Sequence, residues 1–338
     1  VAQVGNDKNK NGVMAMEFLK PLQTDLAVEA RENIVEQTSA PISGLHVEND
    51  ENDEDVTITR VTIDSDQAQQ MVGKPKGIYV TVEAPGLRYK NTPLSAKVMN
   101  YVAQELAKLL HVSSDATILI VGLGNWNVTP DALGPRTIDK IVVTRHLDDL
   151  LSPELKGGVR RVCALAPGVL GLTGMETAEI IKGVVAEVKP QTVIAIDALA
   201  AASSSRVVTT IQLSTTGIHP GSGVGNKRFG LTEDSLGVPV IAIGVPTVVH
   251  ASTIAMDTIH ILQEHAAFAR YFKSLETLSD QDQQKVIRQV LPDILGDMMV
   301  TPKEVDRMID DIAVVVAGGI NQALHPNIDY ENIHMYLH

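Results

Sequence analysis

Aromatic side chains are scarce in this 338-residue chain, at 3% of the total, so a core has to be filled by Val, Ile, Leu, Ala and Met. Hydrophobic residues still reach 44%, enough at this length for one large α/β domain or a domain with a smaller companion. Cysteine is nearly absent. The single Cys163, in RRVCALAPGVLG, excludes an intrachain disulfide and a cysteine-rich metal site, and it reads as a small buried apolar residue. Basic residues are outnumbered, 28 against 41 acidic. The net charge of -13 argues against a surface that follows nucleic-acid phosphates, though not against a protein substrate. No charged-then-apolar leader stands at Val1, and the most apolar run, residues 239–256, is interrupted by Pro239, Pro246 and His250. A buried strand, a loop and a helix fit that run better than a membrane span. The expectation is a cytoplasmic protein in a reducing compartment, without a membrane partner.

What the chain does have is a succession of strand-like apolar runs. They begin at residues 77 (GIYVTVEAPG), 116 (ATILIVGLGN), 140 (KIVVTRHL), 160 (RRVCALAPGV), 192 (TVIAIDALA), 209 (TTIQLSTTG) and 239 (PVIAIGVPTVV). Several are continuously apolar, as strands covered on both faces are. Helical patterns separate many of them, notably 94–110 and 175–188, which predicts a three-layer α/β/α domain with a largely parallel sheet. Residues 46–56, HVENDENDEDV, read as a solvated loop or hairpin tip within an acidic loop region near 46–76. From 252 to 338 the pattern is mainly helical. An amphipathic stretch covers 279–295, and Thr301-Pro302-Lys303-Glu304 has the form of a capping box.

Few familiar site motifs are complete. VGLGNWN (121–127) follows a strand, but Asn127 stands where a dinucleotide fingerprint needs its third glycine. GIHPGSGVGNKR (217–228) is neither a Walker A loop nor a nucleophile elbow around Ser222. It reads as a tight loop beside a cleft or subunit contact, with His219, Ser222 and Lys227 as candidate lining residues. The ten histidines include no H-E-x-x-H pair. No cofactor is expected.

Two aspartates stand apart. Asp131 lies in NVTPDALGP, where Thr129 is placed to cap a helix and Pro130 to open it. Asp197 ends the apolar run of TVIAIDALA. Ligands of open parallel sheets bind at the carboxyl edge, where both would lie. A helix N-terminus favours an ionised Asp131 and an apolar strand end raises the pKa of Asp197, which is the division that acid–base hydrolysis requires. The plainer reading remains open: Asp131 as a helix-start acid and Asp197 as a buried hydrogen-bonding group. So does a third, in which the two carboxylates hold a metal ion.

VGLGNWNVTPDALGP, VVTRHL, APGVLGLTGMET, IAIDALAA, TGIHPGSGVGNKR, PVIAIGVPTVV and MVTPKEVD, in this order, resemble the germination proteases of spore-forming bacteria. The resemblance runs from about Thr24 to the C-terminus. It implies an atypical aspartic endopeptidase that degrades small acid-soluble spore proteins in the forespore and spore core. It further implies a homotetramer, a fold similar to hydrogenase-maturation proteases, and no direct nucleic-acid partner. The family's two essential aspartates carry over onto Asp131 and Asp197. The family is also made as a zymogen that trims its own N-terminus, at an acid followed by a large apolar residue, Ala, a small residue and Glu. Thr24-Asp25-Leu26-Ala27-Val28-Glu29 reproduces that order, with Val28 in place of the usual Ser or Thr. The resemblance thus implies a propeptide of residues 1–25, cut between Asp25 and Leu26, and a peptidase domain over 26–338.

Overall fold

A computed structural model describes residues 24–35, 42–50, 53–147, 159–219, 230–264 and 298–326. The leader before Thr24 and the amphipathic stretch 279–295 lie outside them.

The chain enters through helix α1 (Ala27–Val35) and a hairpin of β1 (Leu45–Asp50) and β2 (Thr57–Ile63). Helix α2 (Asp66–Val72) follows, opened by the Ser65 side chain, which accepts from the Ala68 amide, and closed by Gly73 in the left-handed conformation. Next come β3 (Gly77–Glu83), α3 (Thr92–Leu109), β4 (Thr117–Gly122), α4 (Leu133–Ile138) and β5 (Arg161–Leu165). Two further helices, α5 (Leu170–Thr173) and α6 (Thr177–Val188), lead to the central strands β6 (Thr192–Ala201) and β7 (Thr210–Ser214). The short α7 (Glu233–Leu236) precedes the long β8 (Val240–His250) and α8 (Ala251–Glu264). A two-residue β9 (Met299–Val300) and α9 (Val305–Leu324) complete the described chain.

The strands form one sheet in the order β1-β2-β3-β7-β8-β6-β4-β5, with β9 also paired to β8. The expected largely parallel sheet is in fact mixed. β5, β4, β6 and β8 are parallel, whereas β7 runs against β8, and β3, β2 and β1 continue antiparallel. The apolar runs foretold the parallel half, because β6 and β8 are buried along nearly their whole length. The antiparallel half follows two-residue alternation. Ile58, Val80 and Val82 join Val98, Val102 and Leu106 of α3, while Val61, Ile63 and Tyr79 meet Ala27 and Ala30 of α1 and Ala68 and Val72 of α2. Helices therefore cover both faces of that half.

Three local expectations change. Residues 46–56 are not merely a loop, because their first five residues belong to β1, paired to β2 from Leu45↔Ile63 to Asp50↔Ile58. KIVVTRHL is not a strand. The Val142 amide donates to Asn321 Oδ1 at 3.0 Å and Asn321 Nδ2 donates to the Lys140 carbonyl at 2.9 Å, so a side chain of α9 takes the bonds a neighbouring strand would have made. The capping box at Thr301 also does not form. Its hydroxyl donates to the Thr247 carbonyl at 2.9 Å, and α9 begins at Val305. No helix among the described residues is long and apolar enough to cross a membrane.

Candidate active site

β6 lies between β4 and β8, so its carboxyl end is flanked by two parallel neighbours. Asp197 pairs across to Gly244 of β8 and is 7% exposed, with its Oδ1 accepting from the Ala198 amide at 2.9 Å. β4 stops at Gly122, and the Leu123 amide reaches across to the Ile196 carbonyl at 2.7 Å. The chain then turns over the sheet edge, through a 3-10 turn at Thr129–Asp131. Asp131 is gripped from the Asn125 amide, which donates to its Oδ2 at 2.9 Å and to its carbonyl at 3.1 Å. Gly124 makes this approach possible. Its φ is +113°, and a side chain there would collide with the Asp131 carbonyl oxygen. The glycines of VGLG thus serve a close backbone approach to a carboxylate loop. Thr129 does not cap a helix, as its hydroxyl donates to Asp306 of α9 at 2.8 Å.

Asp131 and Asp197 face one cavity of about 740 Å³, together with Asp25, Lys74, Gln212 and His219. Burial pushes the Asp197 carboxyl well above the usual carboxylate range, and the charges of Asp131 and Asp25 push it further. The Ala198 amide pulls the other way. The apolar strand end therefore acts on Asp197 as its sequence suggested.

Asp25 lines this cavity, and the chain around it is hydrogen-bonded to residues of its wall. The Asp25 amide donates to the Ala200 carbonyl at 3.0 Å, and the Ala200 amide donates to Asp25 Oδ2 at 2.9 Å. Gln212 of β7 spans the Asp25–Leu26 peptide: its Nε2 donates to the Asp25 carbonyl at 3.2 Å and its Oε1 accepts from the Ala27 amide at 2.6 Å. Lys74 Nζ donates to the Thr24 carbonyl at 2.9 Å. Burial lowers the pKa of that lysine, against the pull of Asp25 and Glu29. Leu26, Ala27 and Val28 are buried.

Glu29, 3% exposed, accepts from the amides of Ala202 at 2.8 Å and Ser203 at 3.1 Å and lies 3.4 Å from Arg206 Nη1. Its pKa is nonetheless raised, because the burial outweighs these partners and the Thr24 hydroxyl that also donates to it. Thr24 thus serves the entry to α1 much as a cap does, but two positions ahead of the capping residue Leu26, since its Oγ1 accepts from the Leu26 amide at 3.0 Å.

Of the other candidates, His219 is exposed at the cavity wall, packed against Gly230. Ser222 and Lys227 lie outside the described residues. The ends of their loop are held by reciprocal bonds between Ile218 and Leu231. Cys163 is half-buried and not fully so. Burial raises its thiol pKa, the opposite of what a nucleophilic cysteine needs. Among the described residues no group of three or more His, Cys, Asp or Glu side chains could hold a metal ion. Sequence reasoning missed Gln212, Lys74 and Arg206. Gln212 left a faint signal, a lone amide in the otherwise apolar and hydroxyl-bearing TTIQLSTTG.

Comparison with known proteins supplies the remaining finding. The profile of the germination protease family matches residues 22–274 and 269–337. A germination protease of Caldanaerobacter subterraneus is 48% identical over 322 residues, covering 94% of this chain and 98% of that protein. Germination proteases of Clostridium acetobutylicum and Bacillus mycoides are 43% and 44% identical over 327 and 360 residues. Each match covers 94% of this chain, and respectively 100% and 97% of the relative.

Proposed function

The chain belongs to the germination protease family, and from that premise we propose that it cuts itself between Asp25 and Leu26 and then degrades small acid-soluble spore proteins, with Asp131 and Asp197 as the reacting carboxylates. One observation carries this reading: the main chain of Asp25 is hydrogen-bonded to Ala200 and Gln212 in the wall of the cavity that both aspartates also line. A helix cap alone would account for Thr24, but not for the burial of Leu26, Ala27 and Val28 next to an Asp25 that shares a cavity with Asp131 and Asp197.

In the proposed reaction Asp131 removes a proton from water as its oxygen attaches to the Asp25 carbonyl carbon. Asp197, held protonated by its surroundings, donates to the Leu26 nitrogen as the carbon–nitrogen bond breaks. Residues 1–25 then depart as the propeptide. Spore-protein substrates present the same acid, apolar, Ala, small, Glu order. The reading includes a homotetramer in the cytoplasm of the forespore and spore core, with His219 at the cleft.

Intact mass, followed during incubation of the full-length protein at mildly acidic pH, tests the reading. The wild type is expected to lose the mass of residues 1–25 while Asp131→Asn keeps it. Equal loss in both would refute the role of Asp131. Addition of EDTA is expected to leave the rate unchanged; a chelator-sensitive rate restored by a divalent metal would favour a metal-dependent hydrolase instead.

Recognition of the final acid predicts a second outcome. Two amides and Arg206 hold the Glu29 carboxylate, and bonds of that charged kind contribute about 1.5–3 kcal/mol each. Glu29→Ala is expected to slow trimming roughly 10- to 100-fold. Arg206 keeps Glu32 and Glu83 as partners, so the fold should survive.

A further inference from the structure

We infer that Gln212 stabilises the oxyanion formed at the Asp25 carbonyl and holds the scissile peptide at the cavity that the two carboxylates line. The inference rests on the cleavage site proposed above. Ala27 opens α1, and its amide is one of the helix-start donors that have no partner within the helix. The side-chain amide of Gln212 holds this amide and the Asp25 carbonyl together, accepting from the first and donating to the second. Both ends of the amide are used, so its orientation is determined by its partners.

The sheet register explains why this side chain meets this bond. Gly244 of β8 pairs with Asp197 of β6 on one side and with Gln212 of β7 on the other. Directly paired residues project to the same face, so Asp197 and Gln212 stand on one face, two strands or roughly 10 Å apart. Gly244 puts no side chain between them. The space over Gly244 is taken by the Leu199 side chain, and Gln212 meets the Asp25 carbonyl at the wall of the cavity that Asp131 and Asp197 also line.

Gln212 is 7% exposed, so its N–H donor meets the carbonyl oxygen in a site largely shielded from water. When water adds to the carbonyl carbon, the oxygen gains negative charge and the bond from Nε2 strengthens. When the carbon–nitrogen bond to Leu26 breaks, the carbonyl re-forms and the bond relaxes. A donor that gains strength only in the transition state raises the rate without requiring tighter binding.

Gln212→Glu, followed at rising pH, separates the two contacts: once ionised, its carboxylate keeps an acceptor for the Ala27 amide and offers no donor to the Asp25 carbonyl, whereas the protonated acid keeps both. Two measurements on the full-length chain decide the matter: the first-order rate of mass loss, and hydrogen-exchange protection of the Ala27 amide. Trimming is expected to slow by about 10²–10³-fold, the loss typical of a deleted oxyanion donor, while Ala27 stays protected. Gln212→Leu, which keeps the bulk and loses both contacts, should be as slow with Ala27 deprotected. An unchanged rate in both variants would overturn the role of Gln212 while leaving the cleavage site intact. So would a rate loss in Gln212→Glu that only tracks lost protection. A wild type that cuts a bond other than Asp25–Leu26 overturns both readings at once.

Discussion

Asp197→Asn is expected to stop self-trimming and, in the same molecule, to stabilise the fold at neutral pH. The first effect follows from the proton. Asn cannot supply one to the Leu26 nitrogen, and a positioned acid or base contributes about 10²–10⁴-fold to such reactions. The second follows from linkage. Burial and the charges of Asp131 and Asp25 raise the Asp197 pKa in the folded chain, so the folded state keeps a proton that the unfolded state releases above about pH 4. The stability contributed by Asp197 is therefore complete below the unfolded pKa and is lost as pH rises through the folded one. Asn does not titrate, and its side-chain oxygen still accepts from Ala198. The urea midpoint of the variant should match the wild type near pH 3 and exceed it near pH 7. The same raised pKa sets the alkaline limit of activity. Trimming should slow once pH is high enough to deprotonate the pair, with apparent pKa values that belong to both carboxylates together. A variant that trims normally, or whose midpoint falls below the wild type at neutral pH, would contradict this account of Asp197.

Gly124→Ala should be nearly as damaging without touching a reacting group. At φ +113° any L side chain is strained by about 1–3 kcal/mol. The added methyl would also meet the Asp131 carbonyl oxygen, a backbone atom that no rotamer change can move aside. The Asn125 amide bonds to Asp131, so the loop would have to shift as a unit. Misplacement of a catalytic group by about 1 Å costs about 10²-fold, and trimming in Gly124→Ala is expected to fall by at least that. Gly237→Ala is the matched control. Gly237 is also left-handed, at φ +72°, but an added methyl meets nothing. It should lose about 1–2 kcal/mol of stability and trim at the wild-type rate. Rates measured beside urea midpoints separate a displaced loop from general destabilisation.

Several features of the fold were legible because a local cause produces them. The continuous apolar runs of β6 and β8 signal burial on both faces, and the polar residue that interrupts IAIDALA is therefore conspicuous. The raised pKa of Asp197 follows from the same apolar surroundings. Asp25, Leu26 and Glu29 were singled out by the resemblance of their order to the family's trimming site. Other features had no local cause. KIVVTRHL has the composition of a strand, yet Asn321, some 180 positions later, takes its backbone bonds. β1 was hidden in an acidic run because an edge strand with solvated side chains lacks the apolar period that reveals a strand.

The sequence by itself determined which strands are buried along their length and that Asp197 sits in an apolar run. Tertiary structure alone decided that β7 would run antiparallel between β3 and β8, and so that Gln212 would share a row with Gly244 and Asp197. It also decided that the Gln212 side chain would meet the Asp25 carbonyl and the Ala27 amide. The difference is physical. Burial and conformational preference act on a residue through its immediate chain neighbours, whereas strand partnership is settled by the packing of segments far apart in sequence.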